Sequence, residues 1–153
     1  MINNCKYWDL ERINQCKMKA ILEAAKIEKF FYEPEPYQVL KNINLTINKG
    51  ELVSIIGKSG CGKSTLLYIL STLDTEYQGK LQIMEELVTG QKQDSLANIR
   101  NRHLGFVFQF HYLLPEFTVL QNVMLPALKL GELSEEEIEF KAYAKLNMME
   151  MGD

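Results

Sequence analysis

Hydrophobic and polar positions divide the chain into short blocks of different period. In VLKNINLTI, 39–47, Val39, Ile43, Leu45 and Ile47 fall on one face and Asn42, Asn44 and Thr46 on the other. That alternation predicts a strand with one face buried and one wet. Upstream, MKAILEAAKIEKFF opens at Met18 and reads as a first strand, separated from the second by the EPEP turn. NKG, 48–50, is a further turn. ELVSIIG, 51–57, is a continuous apolar run ending in glycine, as expected of a fully buried parallel strand. GKSTLLYILSTL, 62–73, then sets Leu66, Leu67, Ile69, Leu70 and Leu73 at helical spacing. Strand, glycine-rich loop and helix thus follow in that order.

The second half carries weaker patterns. Gly79 opens KLQIM, a short strand. Residues 93–103 read as a polar helix, GFVFQ as another buried strand, and TVLQNVMLPALKL as a helix interrupted near Pro126. Ser134 with Glu137 makes a capping box for a last helix over 134–150. Ile138, Ala142, Leu146 and Met149 form its apolar stripe. Residues 1–17 show no clear period and are expected to be an extension with little fixed structure, ahead of a domain over 18–153. The stretch WDLERINQCKM also tolerates a short packed helix.

Composition removes some functions. The 153 residues suffice for one domain with a sizeable core. A net charge of −3 argues against a nucleic-acid partner, which needs a clustered basic face. No apolar run approaches the ~18 residues that a membrane span requires, and LGFVFQFHYLLPEF is broken by Gln109, His111, Pro115 and Glu116. The N-terminus lacks the apolar segment of a signal peptide. No direct membrane insertion is expected, so any membrane link runs through a partner. Cys5, Cys16 and Cys61 show no paired spacing and lie far from His103 and His111, which points to free thiols rather than a zinc site.

The chemistry sits in Gly57-Lys58-Ser59-Gly60-Cys61-Gly62-Lys63-Ser64, which fits G-x-x-x-x-G-K-[ST]. Glycines let successive backbone N–H groups turn inward on an anion. The helix that follows offers its unpaired N-terminal N–H groups to the same anion. Lys63 is placed to reach the outer two phosphates of a nucleotide, and the Ser64 hydroxyl to ligate Mg²⁺. Cys61 lies inside this loop and is expected to be alkylated in a way that ATP blocks.

Here the chain resembles a family. IIGKSGCGKSTLLYILSTLD followed by GFVFQFHYLLPEFTVLQNV is similar to the ATP-binding subunits of ABC transporters, above all to the lipoprotein-releasing branch. Macrolide exporters and the cell-division system are related alternatives. The likeness runs from about residue 20 to 131, and weakly on to 150. It implies a RecA-like P-loop α/β core with a small antiparallel β subdomain, and Mg²⁺-ATP as ligand. By that resemblance Gly57 to Ser64 are the Walker A loop, with Lys63 catalytic as well as phosphate-binding, and Thr65 assists at the α-phosphate. Gln109 becomes the Q-loop glutamine, touching Mg²⁺ and the attacking water. A polar residue at the end of a predicted strand also lies where α/β sheets place ligands. Phe31 fits best as the aromatic that stacks on adenine, with Phe30 and Tyr32 open. FHYLLPEFTVLQNV would face a transmembrane permease subunit, although the pattern alone favours core. The implied partners are that permease and a second ATP-binding subunit, at the cytoplasmic face of the bacterial inner membrane.

The resemblance also shows gaps. No LSGGQ-like signature, Walker B run or switch histidine follows Gln109. LQIMEE, 81–86, carries Glu85 and Glu86 but comes too soon after the loop and reads as an early antiparallel strand. The chain by itself is therefore expected to bind ATP weakly without turnover. It is also expected to be aggregation-prone or partly folded, because the run bearing Leu52, Val53, Ile55 and Ile56 would lack a neighbouring strand. A small P-loop kinase or GTPase is the rival reading. The Q-loop-like stretch and the lack of an NKxD motif oppose it, since INKG, 47–50, has no aspartate. A non-catalytic remnant of an ABC gene is the third.

Overall fold

A computed structural model describes residues 19–108 and 112–151. The expected extension over 1–17 lies outside the described residues. The chain divides after Gly90 into two compact units.

The first unit is built on an antiparallel sheet. Strand β1 is Ala20–Phe31, β2 is Tyr37–Asn48, β3 is Gln78–Ile83 and β4 is Glu86–Leu87, in the spatial order β2-β1-β3-β4. Between β2 and β3 runs helix α1, Lys63–Leu70. This is the small antiparallel β subdomain joined to a P-loop and helix that the resemblance implied. LQIMEE forms the β3–β4 hairpin, with Met84 and Glu85 at positive φ in its turn, and Glu85 pairs with Lys19 at 3.3 Å. Buried apolar side chains come from all three parts: Ile27 of β1, Leu81 of β3 and Ile69 of α1 are at 0 % exposure.

The β1–β2 register shifts at four places, and two of the irregularities are bulges marked by a positive φ. Between the pairs Ala24↔Leu45 and Ile27↔Ile43, β1 carries one residue too many, and Lys26 there takes φ +54°. Between Ile27↔Ile43 and Lys29↔Leu40, β2 carries the extra one, with Asn42 at φ +48°. Each insertion reverses the in–out alternation beyond it. Asn44 secures the first, accepting the Lys26 N–H at 2.9 Å, and donates to the Asn42 carbonyl at 2.9 Å. Plain alternation put Val39 on the buried face of β2. Past the bulge Leu40 is the buried residue, at 4 % exposure, and Val39 is half-buried.

The run 51–57 is not the buried strand that its composition predicts. It pairs with no strand among the described residues, and Leu52 and Ile56 are 97 % and 89 % exposed. Residues 105–108 of the second expected buried strand likewise form no strand among the described residues, with Val107 at 97 % exposure. The cause is physical: an apolar run is buried by its neighbours, not by its own composition.

The second unit is helical. Its helices are α2, Gln93–His103; α3, Val119–Leu130; and α4, Glu135–Asn147. Helix α3 passes through Pro126 without the expected interruption. Its ends are fixed by a Thr118–Gln121 capping box and by Gly131 in the left-handed conformation. The Ser134–Glu137 capping box opens α4 as predicted. Met124 of α3 packs with Ile138 and Ala142 of α4, against Leu120 and Ala127. Met149 does not continue the stripe: α4 stops at Asn147 and Met149 is exposed.

Candidate functional site

The glycine-rich loop and the turn end of the β1–β2 hairpin border one cavity of 280 Å³ in the first unit. Ser59, Gly60, Gly62, Lys63, Ser64 and Thr65 line one side, and Phe31, Tyr37 and Val39 the other. Gly60 and Gly62 adopt φ +77° and +90°, conformations that a side chain would strain. Gly62 has a second constraint. A Cβ there would stand 2.8 Å from Val39 Cγ1 and 3.0 Å from Leu40 Cδ2, so β2 presses directly on the loop. Gly57 is held to the same size, because its Cβ would lie 2.6 Å from Cys61 Sγ.

Lys63 begins α1 and folds back over the loop. Its ammonium donates to the carbonyls of Gly57 at 3.0 Å and Lys58 at 2.8 Å and lies 3.8 Å from Cys61 Sγ. The loop is therefore already curled around a cation, with α1 opening directly behind it through the Leu66 N–H to Gly62 carbonyl bond at 2.9 Å. Ser64 and Thr65, in the first turn, bring hydroxyls to the cavity wall. This donor set suits a polyphosphate: one ammonium, two hydroxyls and the free N–H groups of a helix N-terminus.

The structure thus gathers the sequence-derived residues Ser59, Gly60, Gly62, Lys63, Ser64, Thr65 and Phe31 around one space. Gly57, Lys58 and Cys61 stand behind them in the loop. Phe30 and Tyr32 face a different cleft, with Glu28, Thr75, Glu76, Tyr77 and Gln78, and their rings stack on each other at 6.5 Å. The β1 bulge makes that division: Ile27, Lys29 and Phe31 share one side of the strand beyond it, and Phe30 takes the other. Gln109 and His111 lie outside the described residues. Sequence reasoning missed Tyr37, which pairs with Phe31 across the hairpin, and Lys29, whose Nζ sits 5.3 Å from the Phe31 ring centroid. A tyrosine at the start of a strand signals nothing by itself; only the register puts it opposite Phe31.

Comparison with known proteins identifies relatives of the chain. The chain is 48 % identical over 136 residues to the lipoprotein-releasing system ATP-binding protein LolD of Aquifex aeolicus, a match covering 89 % of this chain and 59 % of the relative. It is 55 % identical over 102 residues to LolD of Bacteroides thetaiotaomicron, covering 67 % and 47 %. The chain spans about half the length of these relatives. Among solved structures it is similar to the ATP-binding cassette MJ0796 in a dimeric post-hydrolysis state bound to ADP and Pi. That likeness has a TM-score of 0.75 and 39 % identity, over 84 % of this chain and 57 % of that one. The profile of the ABC transporter family matches residues 40–153, three-quarters of the sequence, and the chain belongs to that family.

Proposed function

We propose that this chain is the nucleotide-binding portion of the ATP-binding subunit of a lipoprotein-releasing ABC transporter. The observation that carries the reading is the loop 57–64 curled on the Lys63 ammonium at the mouth of an aromatic-walled cavity. The similarity to LolD proteins at 48 % and 55 % identity supports the branch.

In this reading ATP lies along the cavity. Gly57 to Ser64 wrap the β- and γ-phosphates, Thr65 meets the α-phosphate, and the Ser64 hydroxyl ligates Mg²⁺. Held there, Mg²⁺ would supply charge neutralisation for the phosphates. Lys63 exchanges the loop carbonyls for phosphate oxygens, giving up neutral acceptors for charged ones. Gln109 is assigned as the second Mg²⁺ contact and the water-positioning residue. In the whole protein, hydrolysis drives lipoprotein release from the inner membrane. There the subunit pairs with a second copy and docks on a transmembrane permease at the cytoplasmic face. Among the described residues no helix is long and apolar enough to cross a membrane. Attachment in this reading is peripheral.

Equilibrium binding of Mg²⁺-ATP by calorimetry tests the site. The wild-type chain is expected to bind ATP, and Lys63→Ala to reduce affinity by about a hundredfold, the loss of a charge-assisted contact plus loop disorder. Unchanged affinity in Lys63→Ala would remove the nucleotide from this loop.

A further inference from the structure

We propose that the base end of the cavity is a two-ring platform, in which Tyr37 is a second base-contacting residue beside Phe31 and Lys29 is the residue that positions them. The inference rests on the nucleotide reading above and adds to it the groups that select for a base.

Phe31 closes β1 and Tyr37 opens β2, and the hairpin register sets them opposite each other. Their ring centroids are 5.7 Å apart with planes inclined by 27°, a stacked pair. Both line the cavity whose far side is the phosphate loop, yet they remain 37 % and 53 % exposed. Two aromatic rings already aligned and half in water, beside a polyphosphate cradle, present a π-surface to a planar base. Stacking needs only that surface, so either ring can take it.

Lys29 fixes the platform from behind. It lies two residues before Phe31 on the same side of the strand, is 4 % exposed, and holds its ammonium 5.3 Å from the Phe31 ring centroid. The ammonium donates to Asp74 at 2.9 Å and to the Glu76 carbonyl at 2.7 Å. Asp74 follows the C-terminal end of α1, where its N–H meets the Tyr68 carbonyl at 3.1 Å. Helix α1 therefore presents the phosphate site at its first turn, and the turn that follows its C-terminal end carries Asp74, which holds Lys29 behind the base site.

Two probes separate the ends: ATP, and inorganic tripolyphosphate, which has the phosphates and no base. Binding of both to the full chain is measured by calorimetry. Tyr37→Ala is expected to weaken ATP about tenfold while leaving tripolyphosphate unchanged, and Tyr37→Phe to retain ATP affinity. Lys29→Met is expected to weaken ATP alone, with Lys29→Arg restoring it, because arginine keeps a cation against the ring. Melting curves monitor folding, and a merely structural lysine would lower both ligands together. Equal effects on both probes, or none, in folded Tyr37→Ala would overturn the platform while leaving the phosphate loop intact. If the wild-type chain binds neither probe, the nucleotide reading itself falls and takes the platform with it.

Discussion

At the scale of single residues, the loop holds a thiol whose accessibility reports on the site. Cys61 is exposed and lies within the curl that Lys63 closes. Bound nucleotide would bury that curl, so alkylation of Cys61 by a small maleimide is expected to slow in ATP and to be unaffected by adenosine, which lacks phosphates. Labelling rates read by mass spectrometry decide it, and equal rates with and without ATP would count against the loop. A second residue holds a carboxyl in two hydrogen bonds. The side-chain amide of Asn48 donates to Glu51 at 2.8 Å and its backbone N–H at 2.7 Å, which holds the Glu51 carboxyl below the ordinary glutamate value. The folded state therefore favours the charged form. The stabilisation of the 48–51 turn is present above the unfolded-state value and is lost as pH falls through the lowered one. Glu51 is fully exposed, so the effect is local order rather than global stability. A carbon-detected titration of the Glu51 carboxyl is expected to give a midpoint below that of free glutamate. A midpoint at or above it would remove the interaction.

At the scale of elements, the site depends on where two strands are one residue too long. The bulge at Lys26 turns Phe31, rather than Phe30, towards the phosphate loop, and Gly79 of β3 makes the bulge possible. A Cβ at Gly79, φ +108°, would run into the carbonyl oxygen of Lys26 and stand 2.7 Å from that of Ala25. Gly79→Ala is expected to cost about 1–3 kcal/mol of stability, since backbone must move on one strand or the other. It is also expected to weaken ATP more than tripolyphosphate, because the phase of β1 sets the Phe31 side. Urea denaturation checks the first and calorimetry the second; an unchanged midpoint would mean that the bulge is slack. This element also shows what the sequence can and cannot tell. The curl of the candidate phosphate loop was legible because its glycines, lysine and serine lie within eight consecutive residues. The capping box at Ser134 and Glu137 was legible for the same reason. The bulges were not, because Lys26 and Asn42 are side-chain-bearing residues at positive φ, and alternation counted through them misplaced Val39 and Leu40. Tyr37 and Lys29 stayed hidden because their role comes from register and from Asp74, forty-five positions beyond Lys29.

At the scale of the whole molecule, apolar surface is divided unevenly between burial and water. The first unit buries Ile27, Leu81 and Ile69 completely and the second buries Leu96 to 2 %. Leu52, Ile56 and Val107 remain 97 %, 89 % and 97 % exposed. Both apolar runs read as interior strands by composition, and only the expected lack of a neighbouring strand beside 51–57 pointed to exposure, because burial is conferred from outside. A side chain already in water adds nothing to folding, whereas Ile27→Ala would open a cavity and cost about 2–5 kcal/mol. Val107→Ser is accordingly expected to leave the melting midpoint of the chain almost unchanged, within about 0.5 kcal/mol. The same exposed runs give molecules of this chain an apolar surface through which to meet. The chain is expected to self-associate as concentration rises, and Leu52→Lys with Val107→Lys to suppress that association without lowering stability. Sedimentation velocity across a dilution series measures the first effect and thermal melting the second. A wild-type chain that sediments as a monomer at every concentration would show that these runs are covered in solution. A double variant that melts far below wild type would show that they are core, and the exposure described above would be wrong.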